Sequence, residues 1–308
     1  MSHSEALPHV QILLATHNGI SWIDEQLKSL LNQTQVQVSI LVSDDASTDG
    51  TYEWLLQAAQ IHQQLTILPR TIAHGSAGKN FYYLLNRADF DAADYIAFSD
   101  QDDIWDADKL CRHIEIARQV CAEAVSSSVL AFWPDGREIL LNKSQPQRDY
   151  DYLFESAGPG CTFLMSIRLA HQVRSVLQDA QSPARDVTLH DWLCYAVARS
   201  LGYTWVIDPQ SSLQYRQHGN NVIGANVSIK AKWARLKKIR DKWYRQQVIN
   251  VARIAYANSL RKDIQRLLVL LEQPSMIERL QLLSYAWNGR RSAKDRFFLM
   301  IAIVFKWF

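Results

Sequence analysis

The chain is 308 residues long, 48% hydrophobic and 21% charged, a composition that excludes global disorder. Its net charge of +2 hides a division: residues 1–227 carry 15 Lys and Arg against 26 Asp and Glu, whereas residues 228–308 carry 18 against 5. Its four cysteines form no CxxC pair, which argues against a zinc site or disulfide framework and for a reducing compartment, and "MSHSEALPHV" does not read as a secretory signal.

In chain order, "VQILLA" (10–15) reads as a short apolar strand that ends in the turn signal "THNG". "SWIDEQLKSLLNQ" reads as a helix, with Ser21 as its N-cap, Asp24 and Glu25 in its first turn, and Ile23, Leu27, Leu30 and Leu31 at helical spacing. "VSILVSDDASTDGTYEWLLQAA" repeats the plan of strand, acidic turn and helix. "LTILPR" is a third predicted strand, "AGKNFYYLLNRA" a helix, and "DYIAFSD" a fourth strand. Residues 130–160 hold several turn formers and suit a long connection or a hairpin, and "RDVTLHDWLCYAVARSL" reads as a helix with a polar entrance.

Apolar strands alternating with helices predict an α/β fold with a mostly parallel sheet covered on both faces. Ligands bind such sheets at the carboxyl ends of the strands, where "ATHNG", "SDDAS" and "SDQDD" all fall. The crowding of Asp100, Asp102 and Asp103 after the apolar "YIAF" suits a solvated turn, a calcium loop or a divalent-metal site. A calcium loop starting at Asp100 needs Gly at its sixth position and Glu at its twelfth; Trp105 and Cys111 stand there. A second acidic pair, Asp44–Asp45, on the same edge favours a cation or a positive ligand group between the turns.

In order and spacing, "ILLATHNG", "LVSDDASTDGT" and "FSDQDDIW" resemble the nucleotide-sugar half of family 2 glycosyltransferases of the GT-A fold, over roughly residues 9–225. "HGSAGKNFYYLL" and "YRQHGNNVIG" are most similar to bacterial rhamnosyltransferase-type members. The resemblance implies an inverting, metal-dependent glycosyltransferase that uses Mn2+ or Mg2+. Its donor would be a dTDP- or UDP-linked sugar, dTDP-L-rhamnose or a UDP-hexose. Its acceptor would be a bacterial surface polysaccharide in lipid-linked or oligosaccharide form.

By the same resemblance, Ala15, Thr16, His17 and Asn18 surround the base, with His17 in place of a common Tyr. Asp44 and Asp45 form the turn in which Asp45 accepts the pyrimidine imide N–H, a role suited to an acceptor-only carboxylate. Lys79 and Asn80 meet the nucleotide. Asp100 and Gln101 lie near the ribose or a metal-bound water, Asp102 is the metal ligand with Asp100 beside it, and His218 completes the metal shell or touches the diphosphate. Asp191 in "LHDW" is the general base that takes a proton from the acceptor hydroxyl, with His190 where Glu is common.

Two alternatives differ in class. A catalytically silent scaffold of a glycan-assembly complex would tolerate loss of the base or the DxD, and both are present. A dinucleotide oxidoreductase would show GxGxxG after the first strand, and none is there.

The composition shift places a boundary near Asn226, dividing a catalytic domain, 1–226, from a basic amphipathic helical extension, 227–308. In the extension, Ile229, Trp233, Leu236, Ile239 and Trp243 make a helical stripe among lysines and arginines. Its end, "RFFLMIAIVFKWF", is apolar over about 12 residues, roughly 18 Å as helix and too short to span a bilayer. No nucleic-acid-binding signature appears. The extension is expected to hold a cytoplasmic enzyme peripherally on the anionic inner face of the cell membrane.

Overall fold

The structure, a computed structural model, describes residues 6–70, 73–218, 242–272 and 275–308. The expected boundary at 226 and the stripe from Ile229 to Ile239 lie outside the described residues. By packing, the chain forms two compact units. The first holds the described residues up to Lys143, with Gly158–Ser175 and Thr204–His218. The second holds Ser144–Ala157, Val176–Tyr203 and the described residues from 242 onward.

The first unit is built on a nine-stranded sheet. Strands β1 (His9–Thr16), β2 (Gln37–Asp44), β3 (Leu65–Ile67) and β4 (Tyr95–Ser99) are parallel, with β1 between β2 and β4. Strand β5 is Ile104–Trp105, and β6 (Ala124–Phe132) forms a hairpin with β7 (Glu138–Leu141). Strand β8 (Leu164–Ser166) runs antiparallel between β4 and β6, and β9 (Trp205–Arg216) runs parallel to β6. The order is β3-β2-β1-β4-β8-β6-β9-β5, with β7 on β6.

Helices α1 (Ile23–Leu31), α2 (Thr51–Ile61), α3 (Ala77–Arg87) and α4 (Lys109–Val120) pack on this sheet. Val10, Ile12 and Leu14 alternate along β1 onto the face that meets Ile23, Leu27 and Leu30 of α1 and Leu55 of α2. Leu13 and Phe98 point the other way, and Phe81 of α3 meets Phe98 edge-on at 5.1 Å. Because both faces are covered, β1, β2 and β4 can be apolar throughout.

Helix α1 differs from expectation at its start. Its N-cap is Trp22, without a side-chain cap; the chain turns through the Gly19 carbonyl, which accepts from Trp22 N and Ile23 N. The third strand is three residues long, shorter than "LTILPR", because its pairing with β2 ends at Ile67.

In the second unit, α5 (Asp151–Phe154) and α7 (His190–Ser200) pack with α8 (Trp243–Ser259). Between them in sequence come α6 (Ile167–Gln178) and a 3-10 turn at Pro183–Asp186, so the helix predicted from Arg185 begins only at His190. Helices α9 (Lys262–Glu272), α10 (Met276–Asn288) and α11 (Ala293–Val304) follow. Gly289 caps the end of α10, and no larger residue fits there, since a Cβ would lie 2.5 Å from the Phe154 ring and 2.6 Å from the Tyr285 carbonyl oxygen. Asp151, fully buried, accepts from Tyr195 Oη at 2.9 Å and pairs with Arg199 at 3.2 Å and Arg291 at 3.3 Å. A buried carboxylate loses stability unless it is paired and hydrogen-bonded, and this one is met from both α7 and the α10–α11 junction.

Candidate active site

The carboxyl edge of the parallel strands gathers the first group of expected residues. Register places Ala15 beside Ser43 and Thr16 beside Asp44. Thr16 Oγ1 donates to Asp44 Oδ1 at 3.0 Å, and Ser47 N donates to Asp44 Oδ2 at 3.0 Å. Arg70 lies 3.6 Å from the same carboxylate and donates to the Ser47 carbonyl at 2.9 Å. The Asp44 side chain is fully buried, so the chain's own donors occupy it. Asp45 accepts from the backbone N–H groups of His74 and Gly75, the latter at 3.0 Å, which ties the β2 turn to the segment entering α3. Gly75 adopts φ of 77°, where a side chain would be strained.

His17 and Asn18 lie across the same turn. His17 Nδ1 is 2.6 Å from the Asp45 carbonyl, Asn18 N donates to Ser47 Oγ at 2.8 Å, and Thr48 N donates to Asn18 Oδ1 at 2.8 Å. Gln101 reaches over from the β4 turn: its Oε1 accepts from His17 N at 2.7 Å and its Nε2 donates to the His17 carbonyl at 2.8 Å. One side chain thus binds both backbone groups of His17, as a neighbouring strand would. Gly19 leaves it room, since a Cβ there would sit 2.2 Å from Gln101 Oε1.

In the α3 entrance, Ser76 caps the helix by accepting from Lys79 N at 3.4 Å. Lys79 is exposed, whereas Asn80 is buried and donates to the Ser43 carbonyl at 2.9 Å. Asn80 Oδ1 is buried without a hydrogen-bond partner among the described residues.

At the acidic turn, Asp102 Oδ2 and His218 Nε2 are 2.7 Å apart, 116 residues apart in sequence and each 13% exposed. Two residues that sequence reasoning did not single out hold this pair. Trp22 stacks on the His218 ring at 4.0 Å and 17°. Arg216 Nε donates to the Asp102 carbonyl at 2.9 Å, and its guanidinium also pairs with Glu25 and lies over Phe132 at 4.7 Å. A usable signal was present in "YRQHGNN", where a cation stands two residues before the histidine.

Beneath the turn is a buried floor. Asp103 accepts from Arg216 N at 3.3 Å, and burial, then the charges of Asp102 and Asp100, raise its carboxyl well above the usual range. Burial also raises the Cys161 thiol and pushes the Lys109 ammonium well down. Lys109 Nζ donates to the Cys161 carbonyl at 2.5 Å and sits 2.9 Å from the centre of the Trp105 ring. Asp100, Asp103 and Cys161 could bring ligand atoms within 4.8 Å of one another. A buried thiol, and a carboxyl that burial pushes toward its neutral form, suit a hard divalent ion less well than solvent-reached carboxylates. Asp102 and His218, with Asp100 in the same turn, are the better donor set: two carboxylates and an imidazole, with the Asp102–His218 pair still reached by solvent.

Asp191 lies in the first turn of α7, in the second unit, where the helix dipole favours an anion. Its Oδ1 accepts from Trp192 N at 2.7 Å. Trp192 is fixed in turn, donating from Nε1 to the Tyr152 carbonyl at 2.9 Å and stacking on Tyr244 at 5.9 Å. His190 is buried, which holds its imidazole down at about 3 and so uncharged. Gln247 of α8, not anticipated from the sequence, holds the loop before this helix. Its Oε1 accepts from Thr188 N at 2.8 Å, and its Nε2 donates to the Asp186 carbonyl at 3.0 Å.

A half-parallel sheet with a DxD turn and a second acidic turn at its carboxyl edge fits the GT-A plan of glycosyltransferases. The chain belongs to glycosyl transferase family 2, whose family model matches residues 11–168, and it is a glycosyltransferase. It is 40% identical over 296 residues to the dTDP-rhamnosyl transferase RfbG of Shigella flexneri, covering 94% of this chain and 99% of that protein. It is 29% identical over 159 residues to the Escherichia coli UDP-Glc:alpha-D-GlcNAc-diphosphoundecaprenol beta-1,3-glucosyltransferase WfgD, covering 49% of this chain and 57% of that one. Among solved structures it is similar in fold to S. aureus TarS 1-349 in complex with UDP, with a TM-score of 0.54 at 14% identity over 91% of this chain and 80% of that one. The mannosyltransferase PcManGT from Pyrobaculum calidifontis, in complex with GDP-Man and Mn2+, matches with a TM-score of 0.53 at 16% identity over 98% and 86%.

Proposed function

We propose that this enzyme transfers L-rhamnose from dTDP-L-rhamnose, with inversion and with Mn2+ or Mg2+, onto a growing bacterial surface polysaccharide. The donor choice is supported by the near full-length similarity to a dTDP-rhamnosyl transferase; a UDP-hexose is the other donor that an Asp45-type turn suits. The acceptor is a lipid-linked or oligosaccharide glycan, and residues 227–308 hold the enzyme on the inner face of the cell membrane. The observation that carries the reading is the Asp102–His218 pair, 2.7 Å apart beside the turn made by Thr16, His17, Asn18 and Asp45.

In this reading Asp45 accepts the imide N–H of thymine, with Ala15, Thr16, His17 and Asn18 around the base and Lys79 and Asn80 toward the nucleotide. Asp44 closes the turn from below. Asp102, His218 and Asp100 hold the divalent ion, and Gln101 fixes the spacing between the two turns. The ion, when bound, supplies positive charge against the diphosphate. Asp191 takes the proton of the acceptor hydroxyl as that oxygen bonds to the anomeric carbon and the bond to the donor phosphate breaks, its electrons leaving with the nucleoside diphosphate.

A donor screen with the purified protein tests this, reading nucleotide release and the anomeric configuration of the product. Turnover is expected with dTDP-L-rhamnose, abolished by chelator and restored by Mn2+ or Mg2+, with the opposite anomer formed. Asp191→Asn should lower transfer by about 10²–10⁴-fold while leaving donor binding intact. Full transfer in excess chelator, or by Asp191→Asn, defeats the corresponding part.

A further inference from the structure

Helices α10 and α11 each bury one face and expose another that is just as apolar. Leu282 and Ala286 of α10 and Leu299, Ala302 and Ile303 of α11 point inward. On the outer side of α10 lie Leu280 and Trp287, 66% and 44% exposed. On the outer side of α11 lie Phe297, Ile301 and Val304, 59%, 46% and 57% exposed, spaced by four and three as one helical stripe. Trp287 meets Phe297 edge-on with ring centroids 6.3 Å apart, so the two stripes join, and Phe305 stacked on Trp307 at 5.6 Å extends the end. Single exposed hydrophobic residues are ordinary; a continuous aromatic and aliphatic surface across two helices marks a binding face.

Charge identifies the occupant. Residues 276–308 carry six Lys and Arg against two Asp and Glu. Arg290 and Arg291 are spent internally on Glu155, Asp151 and Asp295. Lys294 and Lys306, both exposed, remain at the two ends of α11, and Arg296 lies 5.0 Å from the Trp287 ring. Asp295, the one carboxylate within α11, is paired with Arg290 at 3.3 Å. No described helix is long and apolar enough to cross a membrane. Aromatic and aliphatic residues flanked by lysines on a helix that cannot span are the makeup of a face that lies in the lipid interface.

We propose that the joined outer faces of α10 and α11, centred on Trp287, Phe297 and Ile301, dock onto an anionic lipid surface, with Lys294 and Lys306 against the headgroups. This rests on the membrane attachment proposed above and specifies the surface that makes it; it does not depend on which sugar is transferred. Insertion of the ring and branched side chains supplies a part of the binding that salt does not screen, and the lysines a part that it does.

The test is co-sedimentation of the full chain with phosphatidylcholine vesicles, with and without phosphatidylglycerol, beside gel filtration of the free protein. The full chain should sediment with the anionic vesicles and far less with the neutral ones. Phe297→Ser with Ile301→Ser should weaken that binding by about tenfold or more at all salt concentrations while donor hydrolysis stays at the parental rate. Lys294→Glu with Lys306→Glu should remove the salt-sensitive part alone. If the full chain stays in the supernatant, attachment itself is wrong. If it sediments and the Phe297/Ile301 variant sediments equally, attachment stands but this face is not its means. A full chain that ignores vesicles and elutes as a dimer, with the variant a monomer, makes the face a contact between copies and overturns the lipid reading.

Discussion

After β2 the chain makes an acidic turn whose carboxylates face their own backbone; after β4 it makes one whose carboxylates face each other. Asp44 takes hydrogen bonds from Thr16 and Ser47 and the charge of Arg70, and Asp45 takes two amides from the α3 entrance. In the second turn Asp100, Asp102 and Asp103 crowd together, and the Asp102 carboxylate meets His218 at 2.7 Å. The same residue type on the same sheet edge therefore does two jobs. The first turn is braced by the chain's own donors, whereas the second holds like charges that a cation would relieve.

Substitutions at the two turns should separate these jobs. Asp102→Asn keeps shape and removes charge, so transfer should fall by about 100-fold or more while the melting temperature holds or rises, because a repulsion is relieved. Asp44→Asn should show the reverse. Losing an acceptor for buried donors costs on the order of 2 kcal/mol of stability, read by denaturant unfolding, with transfer per folded molecule changed only severalfold. An Asp44 variant as stable as the parent but unable to bind donor would end the contrast.

The smallest effect sharpens the buried side of the same unit. His113 of α4 is fully buried with neither ring nitrogen hydrogen-bonded among the described residues, and burial holds its imidazole well below its usual range. A histidine that protonates less readily when folded contributes no loss above its unfolded value near 6.5, and stability is lost as pH falls below it. His190, held down at about 3, acts in the same direction over the window from about 6.5 to 3. His113→Leu should leave stability near pH 7 unchanged or raised by about 1 kcal/mol, and should shrink its loss near pH 5. A melting series identical to the parent's at both values would remove His113 from this account.

The parallel half of the sheet was readable because its strands are apolar runs that end in turn signals, "VQILLATHNG" above all. The other half was hidden by polarity. Strand β6 buries Ser126, Ser127 and Ser128 completely, and these hydroxyls are met by Trp205 Nε1 at 3.0 Å, Ser212 Oγ at 2.6 Å and the Lys143 amide at 3.1 Å. A hydrophobic pattern cannot register a core strand made of serine. Strand β9 contains Asp208 and Pro209, and its register against β6 shifts at Ser127 and Ser128, so no clean alternation runs along it.

The candidate site divides the same way. Its motif residues could be located individually, but Trp22 over His218, and Gln101 across His17, exist only once distant strands are paired. The N-cap at Ser21 failed for a local reason, since the turn through Gly19 already satisfies the first helical amides. The change of charge that suggested a division near Asn226 falls outside the described residues, and α8, which follows it, packs with α7 in one unit.

That packing bears on the order in which the protein is made. Gln247 meets Thr188 across 59 residues of sequence and also holds the Asp186 carbonyl. As the chain leaves the ribosome, the loop ahead of Asp191 emerges with an amide and a carbonyl still waiting for a partner that has not been synthesised. Until α8 follows it out these two groups face water, so a polypeptide cut short before residue 247 carries both acidic turns of the first unit and lacks the brace on the loop before Asp191.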